Sequence, residues 1–323
     1  MIQYDLMRKC ETLMDLYLYM KDDADRFENP RVLFAAASLF LTARVKYDSE
    51  EVVRCLALLR NRHGIFSRFR GTETFITACK MSLAQDPGAY LDTLEDLSER
   101  LNVGILYSGR TVLTAMILED NLDGRDPEYL INKTKDIYHN MKTRHMFLTT
   151  GEDLPMAALM ASSEKDPQTI FEDAERAYQV FKRDLKAEVD AIQLLSHIVS
   201  LYYGDIEEMC QKIIDLADIL HREKHTLESG VRLGILAPMA DLPFSAYELS
   251  RDIIDASDFL KEFKEFRGLF GLGERDRTVF AAVCATSVNY DAESAQRSAL
   301  ISTSVQLAII QQIMMAAAVA AAA

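Results

Sequence analysis

The sequence predicts an all-α protein, built as an α-α superhelix of stacked helical hairpins, and three observations carry that reading. Gly and Pro together account for only 20 of 323 residues, about half the usual share. The pairs Asp86-Pro87, Asp126-Pro127 and Asp166-Pro167 fall 40 residues apart each time. Asp is a favoured N-cap and Pro a favoured first helical residue, so each pair opens a helix. The apolar residues that follow recur at three and four, as in Leu91, Leu94, Leu97 and Leu101, which is helical spacing and not strand alternation.

Taken in order, the chain begins with an entry helix from about Ile2 to Met20, closed by the charged hinge Lys21-Asp22-Asp23-Ala24-Asp25. A first repeat covers about 30–109. Its segment Arg31-Val32-Leu33-Phe34-Ala35 is apolar nearly all round, as a helix between two layers must be, and Asp48-Ser49-Glu50 opens its amphipathic partner. Gly71 begins the next apolar helix and Asp86-Pro87 the next amphipathic one. The second repeat, about 110–189, restarts at Arg110-Thr111-Val112-Leu113. It passes through Asp126-Pro127 and Gly151, and ends on a helix whose apolar face is Ile170, Phe171, Ala174, Ala177, Tyr178 and Phe181.

The third repeat, about 190–274, holds the apolar run Ile192 to Tyr203. Asp205-Ile206-Glu207 then opens a helix with Met209, Cys210, Ile213, Ile214 and Ala217 on one side, and Gly230 starts another apolar helix. A truncated fourth unit, 275–323, begins at Arg277-Thr278-Val279-Phe280, and Asp291-Ala292-Glu293 is a late echo of the capping beat. Half-repeats of about 40 residues thus lie inside repeats of about 80, marked by Val32, Val112 and Ile192 and by Gly71, Gly151 and Gly230. No linker-like stretch interrupts them, so residues 1–323 read as a single helical-repeat domain of roughly thirteen helices. A closed α/α toroid is the alternative, because a sequence period does not fix curvature.

Bulk composition narrows the function classes. A formal charge of −14 argues against duplex DNA as the main partner. Five widely spaced cysteines, with no C-x-x-C pair, read as reduced, buried thiols in a cytoplasmic protein. Met1 to Met20 carries charges through its apolar stretch, so neither a leader nor a membrane span can be drawn there. The uncharged terminus Ser298–Ala323 is long enough to span. Its Ser, Thr and Gln residues and alanine-rich end favour a last core helix, or a helix buried in a homodimer interface.

The most informative recurring motif is [Arg/Lys]-x-[Arg/Lys]-His, found as Arg60-Asn61-Arg62-His63, Lys142-Thr143-Arg144-His145 and Arg222-Glu223-Lys224-His225. Each copy falls at the end of an outer helix, and Arg68 and Arg70 reinforce the first. Cations there offset the negative helix end and bond its free carbonyls, so capping alone accounts for them. The functional reading is an anion-binding ridge made of Arg60, Arg62, His63, Lys142, Arg144, His145, Arg222, Lys224 and His225.

Other chemistry is thinner. His221 and His225 have the spacing of two metal ligands but lack a third, and no metal or cofactor is expected. Glu119 to Glu128 resembles part of a calcium loop, yet Leu130 stands where the bidentate Glu belongs. There is no nucleophile elbow, Walker loop or dinucleotide fingerprint.

Three strings, Leu106-Tyr107-Ser108-Gly109-Arg110-Thr111, His145 to Pro155 and the terminal Ala316 to Ala323, are distinctive. Through them the whole chain resembles a bacterial family known as the domain of unknown function 4003. That resemblance implies an all-helical, cytoplasmic bacterial protein with an alanine-rich end, and it supplies no activity or site residue. The function expected from the residues is a non-catalytic scaffold binding a protein partner or an anionic ligand. The alternative is an all-α enzyme acting on a phosphorylated or anionic small molecule in the superhelix groove.

Overall fold

The computed structural model describes residues 2–24, 28–71, 73–101, 109–122, 124–144, 153–227, 230–267 and 272–289. The described residues form thirteen α-helices and no strand. They are α1 (Tyr4–Asp23), α2 (Pro30–Ala43), α3 (Ser49–Arg62), α4 (Thr74–Leu83), α5 (Pro87–Arg100), α6 (Gly109–Asp120) and α7 (Pro127–Arg144). After these come α8 (Leu154–Ser162), α9 (Pro167–Asp184), α10 (Val189–Val199), α11 (Ile206–Arg222), α12 (Ala246–Leu260) and α13 (Glu274–Asn289). The uncharged terminus, and with it the homodimer reading of Ser298–Ala323, lies outside the described residues. No helix among the described residues is long and apolar enough to cross a membrane.

The helix starts follow from their caps. Asp48 accepts from Glu51 N, Asp86 from Gly88 N and Ala89 N, Asp126 from Glu128 N and Asp205 from Glu208 N, so each carboxylate holds amide groups that the helix leaves unpaired. At α12 a capping box formed by Ser245 and Glu248 does the same work.

Two kinds of helix alternate. In α2, α4, α8, α10 and α13 most residues are buried, while α3, α5, α9, α11 and α12 bury one face. Hydroxyls in the buried class return their protons to the preceding turn: Ser38 donates to Phe34 O, Thr77 to Glu73 O, Ser196 to Ile192 O and Thr286 to Ala282 O. Those bonds let polar residues sit in an apolar layer without an unsatisfied group.

One expected helix differs. The apolar segment after Gly230 is a 3-10 helix, Gly230–Asp241, because Pro238 has no amide hydrogen and its ring crowds the carbonyl an α-turn back. It still packs as a layer element, against α10, α11 and α13.

The helices gather into two compact units. One is built from α3 to α8, with α3 on α4, α5 on α6, and α8 on both α6 and α7. The other combines α1 and α2 with α9 to α13. In that unit Phe34 is the centre of an aromatic cluster. Its ring lies 4.1 Å from Tyr17, 4.6 Å from Phe280 and 5.1 Å from Phe266, separations at which ring pairs add to simple burial. Beside them Asp276, at the start of α13 and with only 3% of its side chain exposed, receives Arg31 Nε at 2.8 Å and Arg232 Nη2 at 3.1 Å. The Arg31 contact spans 245 residues of sequence. Hairpins touching only their sequence neighbours give no such contact.

Candidate functional site

The first basic turn closes α3. His63 is the C-cap, and its amide donates to Leu59 O at 3.0 Å. Arg70 then donates to Arg60 O at 3.3 Å and His63 O at 3.2 Å, so a guanidinium from the next segment holds the exposed carbonyls of the helix end. Arg68 donates to Ser98 O of α5 at 2.7 Å. Arg62 reaches α5 through Asp92 at 2.6 Å and Glu95 at 3.3 Å. Arg60 is exposed.

His63 stacks on Phe69 with centroids 4.4 Å apart. Its Nδ1 shares a hydrogen bond with Ser67 Oγ at 3.3 Å, and Nε2 lies 2.9 Å from Glu95 Oε1, off the N–H axis. Burial pulls the imidazole below its ordinary value; Glu95 pushes the other way, and Arg62 and Arg68 add to the lowering. The ring is neutral at pH 7.

The second copy is partly described. Lys142 is exposed on the last turn of α7, whereas His145 and the Arg144 side chain lie outside the described residues.

The third copy closes α11 with a Schellman motif. His225 N donates to Leu220 O at 2.8 Å, Lys224 N donates to His221 O at 3.1 Å, and Lys224 takes φ 65°. Arg222 Nε bonds back to Asp218 O at 3.3 Å. His225 is buried while Lys224 and His221 are exposed. The imidazole Nδ1 pairs with Ser257 Oγ at 3.2 Å, and Nε2 stands 3.7 Å from Asp258 Oδ1. Burial again lowers its pKa, against the pull of Asp258.

First and third turns therefore share a device that the motif alone did not reveal. Each histidine leaves the end of one helix and meets a hydroxyl and a carboxylate, the carboxylate 32 or 33 residues further on, in α5 or α12. A serine, histidine and carboxylate in contact also invite a catalytic reading. In the third turn Ser257 is fully buried and its oxygen receives Arg277 Nε at 3.1 Å, which leaves no room for a substrate. With its hydroxyl sealed, the arrangement at the third turn is a packing device.

The thiols follow the same logic. All five cysteines are buried and unbridged. Burial, with nearby acids adding to it, pushes Cys55 up to about 11 and Cys210 up to about 12, so neither is a thiolate at neutral pH. The calcium-like segment is held by cations of the protein itself. Lys80 Nζ sits 2.6 Å from both Asp120 oxygens, and Arg125 bonds Ser162 O at 3.0 Å and Asn121 O. Among the described residues no group of three or more His, Cys, Asp or Glu side chains is placed to hold a metal.

The motifs also gave no hint of a pair at the tip of the first turn, where Ile65 is 73% exposed and Phe66 96%. The signal in the sequence is two adjacent large apolar residues between Gly64 and Ser67, outside any helical period.

Comparison with known proteins places the chain among relatives of the same kind. A family model described as a protein of unknown function, DUF4003, matches residues 17–318. The chain belongs to this family. All three basic turns fall inside the DUF4003 span. The chain is also similar to the uncharacterized protein YeaA of Bacillus subtilis (strain 168), with 22% identity over 214 residues, covering 65% of each protein. No solved structure matches the chain.

Proposed function

We propose that the chain is a non-catalytic helical-repeat scaffold that binds an anionic protein partner through its basic turns, the first foremost. The observation that carries this reading is the charge of residues 60–70, which hold four arginines on a chain of net charge −14, with Asp92 and Glu95 of α5 drawn to Arg62. Arg70 directs its guanidinium at two carbonyl oxygens, which are neutral, so that bond holds the helix end and leaves the charge intact. A local positive field on an acidic molecule steers an acidic partner to one place and repels it elsewhere. Arg60, Lys142 and Arg222 are the exposed cations that open the three motifs, within reach of carboxylates from outside.

The test uses a labelled deca-glutamate peptide and fluorescence anisotropy on the whole chain. Wild-type affinity should fall as salt is raised from about 50 to about 300 mM. In the variant Arg60→Ala/Lys142→Ala/Arg222→Ala it should fall about tenfold, as the loss of three exposed contacts implies, with the melting temperature unchanged. Equal affinity of variant and parent would remove the basic turns from the binding surface.

A further inference from the structure

Between the arginines of the first turn the chain makes a β-turn, Gly64–Ser67, in which Ser67 N donates to Gly64 O at 2.9 Å. Its central residues are Ile65 and Phe66, positions that usually carry Pro, Asn, Asp, Gly or Ser. Both side chains point away from the protein, and Phe66 is the most exposed large apolar residue among those described. Exposed in the folded and the unfolded chain alike, this apolar surface adds nothing to the fold, and a fixed apolar tip of this kind marks an interaction site.

The turn is also held firmly. Ser67 Oγ accepts from Phe69 N at 3.3 Å, Ser67 O accepts from Arg70 N at 2.9 Å, and Phe69 is buried beneath the His63 ring. Arg70 fastens the chain before the turn to the chain after it. A rigid tip loses little freedom on docking, so more of its contact energy appears as affinity.

Resting on the binding role proposed above, we infer that Ile65 and Phe66 form an anchor that inserts into an apolar pocket on a partner protein, with carboxylates of the pocket's rim meeting Arg60, Arg68 and Arg70. Aromatic and arginine side chains together are what the centres of protein interfaces are built from. Charge complementarity selects the rim: four arginines flank the tip in sequence, two on each side, and the carbonyls that Arg68 and Arg70 engage are neutral and leave their charge in place. An anionic bilayer fits less well, because a molecule of charge −14 is repelled by it as a whole and two side chains are a small wedge. A nucleic-acid strand fits less well too, since one aromatic ring beside an aliphatic wedge is not a stacking track.

The experiment places a photo-reactive phenylalanine analogue at position 66 of the full chain, with Val53 as a control position exposed on α3. Both proteins are irradiated in extract of the producing cells, and the cross-linked peptide is sequenced. The inference expects one protein species joined from position 66 at about ten times the yield from position 53, through an apolar segment flanked by Asp or Glu. The yield should drop about tenfold at high salt and about twofold in Arg60→Ala. Adducts to lipid or nucleic acid, adducts to segments without acidic neighbours, or equal yields from both positions would overturn it. If deca-glutamate binds as described above while position 66 captures nothing selectively, the anchor is wrong and the basic-turn reading stands. If position 66 captures an acid-free pocket and deca-glutamate does not bind, the basic-turn reading fails with the rim. An Arg60→Ala chain with unchanged melting temperature confirms that the lost adduct is not lost folding.

Discussion

Lys133 and Lys212 make the same bond 79 residues apart. Lys133, on α7, donates to Ser163 O, the residue that caps α8, at 3.1 Å. Lys212, on α11, donates to Leu242 O and, at 3.3 Å, to Ala240 O, where the 3-10 helix ends. In both, the acceptor lies 30 residues beyond the lysine. Each ammonium is half-buried and its pKa is lowered, first by burial. Arg125 adds to the lowering at Lys133, while Asp241 and Glu248 oppose it at Lys212. These lysines cap a neighbouring helix from the side.

Replacing either lysine by Met keeps the aliphatic stem and strips the carbonyls of their donor. Each change should cost about 1–2 kcal/mol, read as a lower urea midpoint. Lys133 and Lys212 belong to different units and share no carbonyl, so the losses should add. Unchanged midpoints would show that water serves those carbonyls equally well.

Asp276 receives two guanidiniums at once. In Asp276→Ala two partly buried guanidiniums, Arg31 and Arg232, lose the acceptor that holds them, and such half-removed buried pairs cost about 3–5 kcal/mol. Asp276→Asn, which keeps a carbonyl acceptor, should fall between. A denaturation series in which Ala and Asn variants match the parent would contradict the packing described around α13.

Acid should weaken the fold through the two staple histidines. His63 and His225 both have folded pKa values below the ordinary 6.5, with burial the largest cause. Above that value neither state is protonated and the histidines contribute no pH dependence. As pH falls from about 6.5 toward the folded values, the unfolded chain takes up protons that the folded one refuses, and stability drops. Comparing urea midpoints at about pH 7.5 and about pH 5.5 should show a smaller drop in His63→Gln/His225→Gln than in the parent. An identical drop would assign the acid sensitivity to other groups.

The capping carboxylates make a local prediction. Asp86 holds two amides at the start of α5, and Asp86→Ala should lower stability by about 1 kcal/mol, with Asp86→Ser recovering most of it. Equal thermal midpoints for all three chains would mean that solvent replaces the cap.

Features encoded within a few residues of one another are legible in the amino-acid sequence. Asp86, Asp126 and Asp205 announce helix starts because a cap and its amides are sequence neighbours. The basic turns are legible as helix ends for the same reason, although only the fold distinguishes exposed Arg60 from buried His225. Pairing at a distance leaves no such trace. Lys212 looks like any lysine on an amphipathic helix, although its carbonyls lie 28 and 30 residues away. His63 and Glu95, or Arg31 and Asp276, carry no local mark of each other. Pro238 does carry one: a proline inside an apolar run warns against a regular α-helix.

The bond between Arg31 and Asp276 also orders events during synthesis. Helices α3 to α8 find all of their unit's helical partners within residues 45–167, so that unit can settle while the rest of the chain is still being made. Helix α2 cannot. Its Phe34 waits for Phe266 and Phe280, and Arg31 for Asp276, 245 residues later. At a translation rate of about 5–20 residues per second, that is about 10–50 seconds in which the apolar α2 lacks those partners beside the ribosome. Chaperone demand should therefore fall on the first residues made rather than on the last.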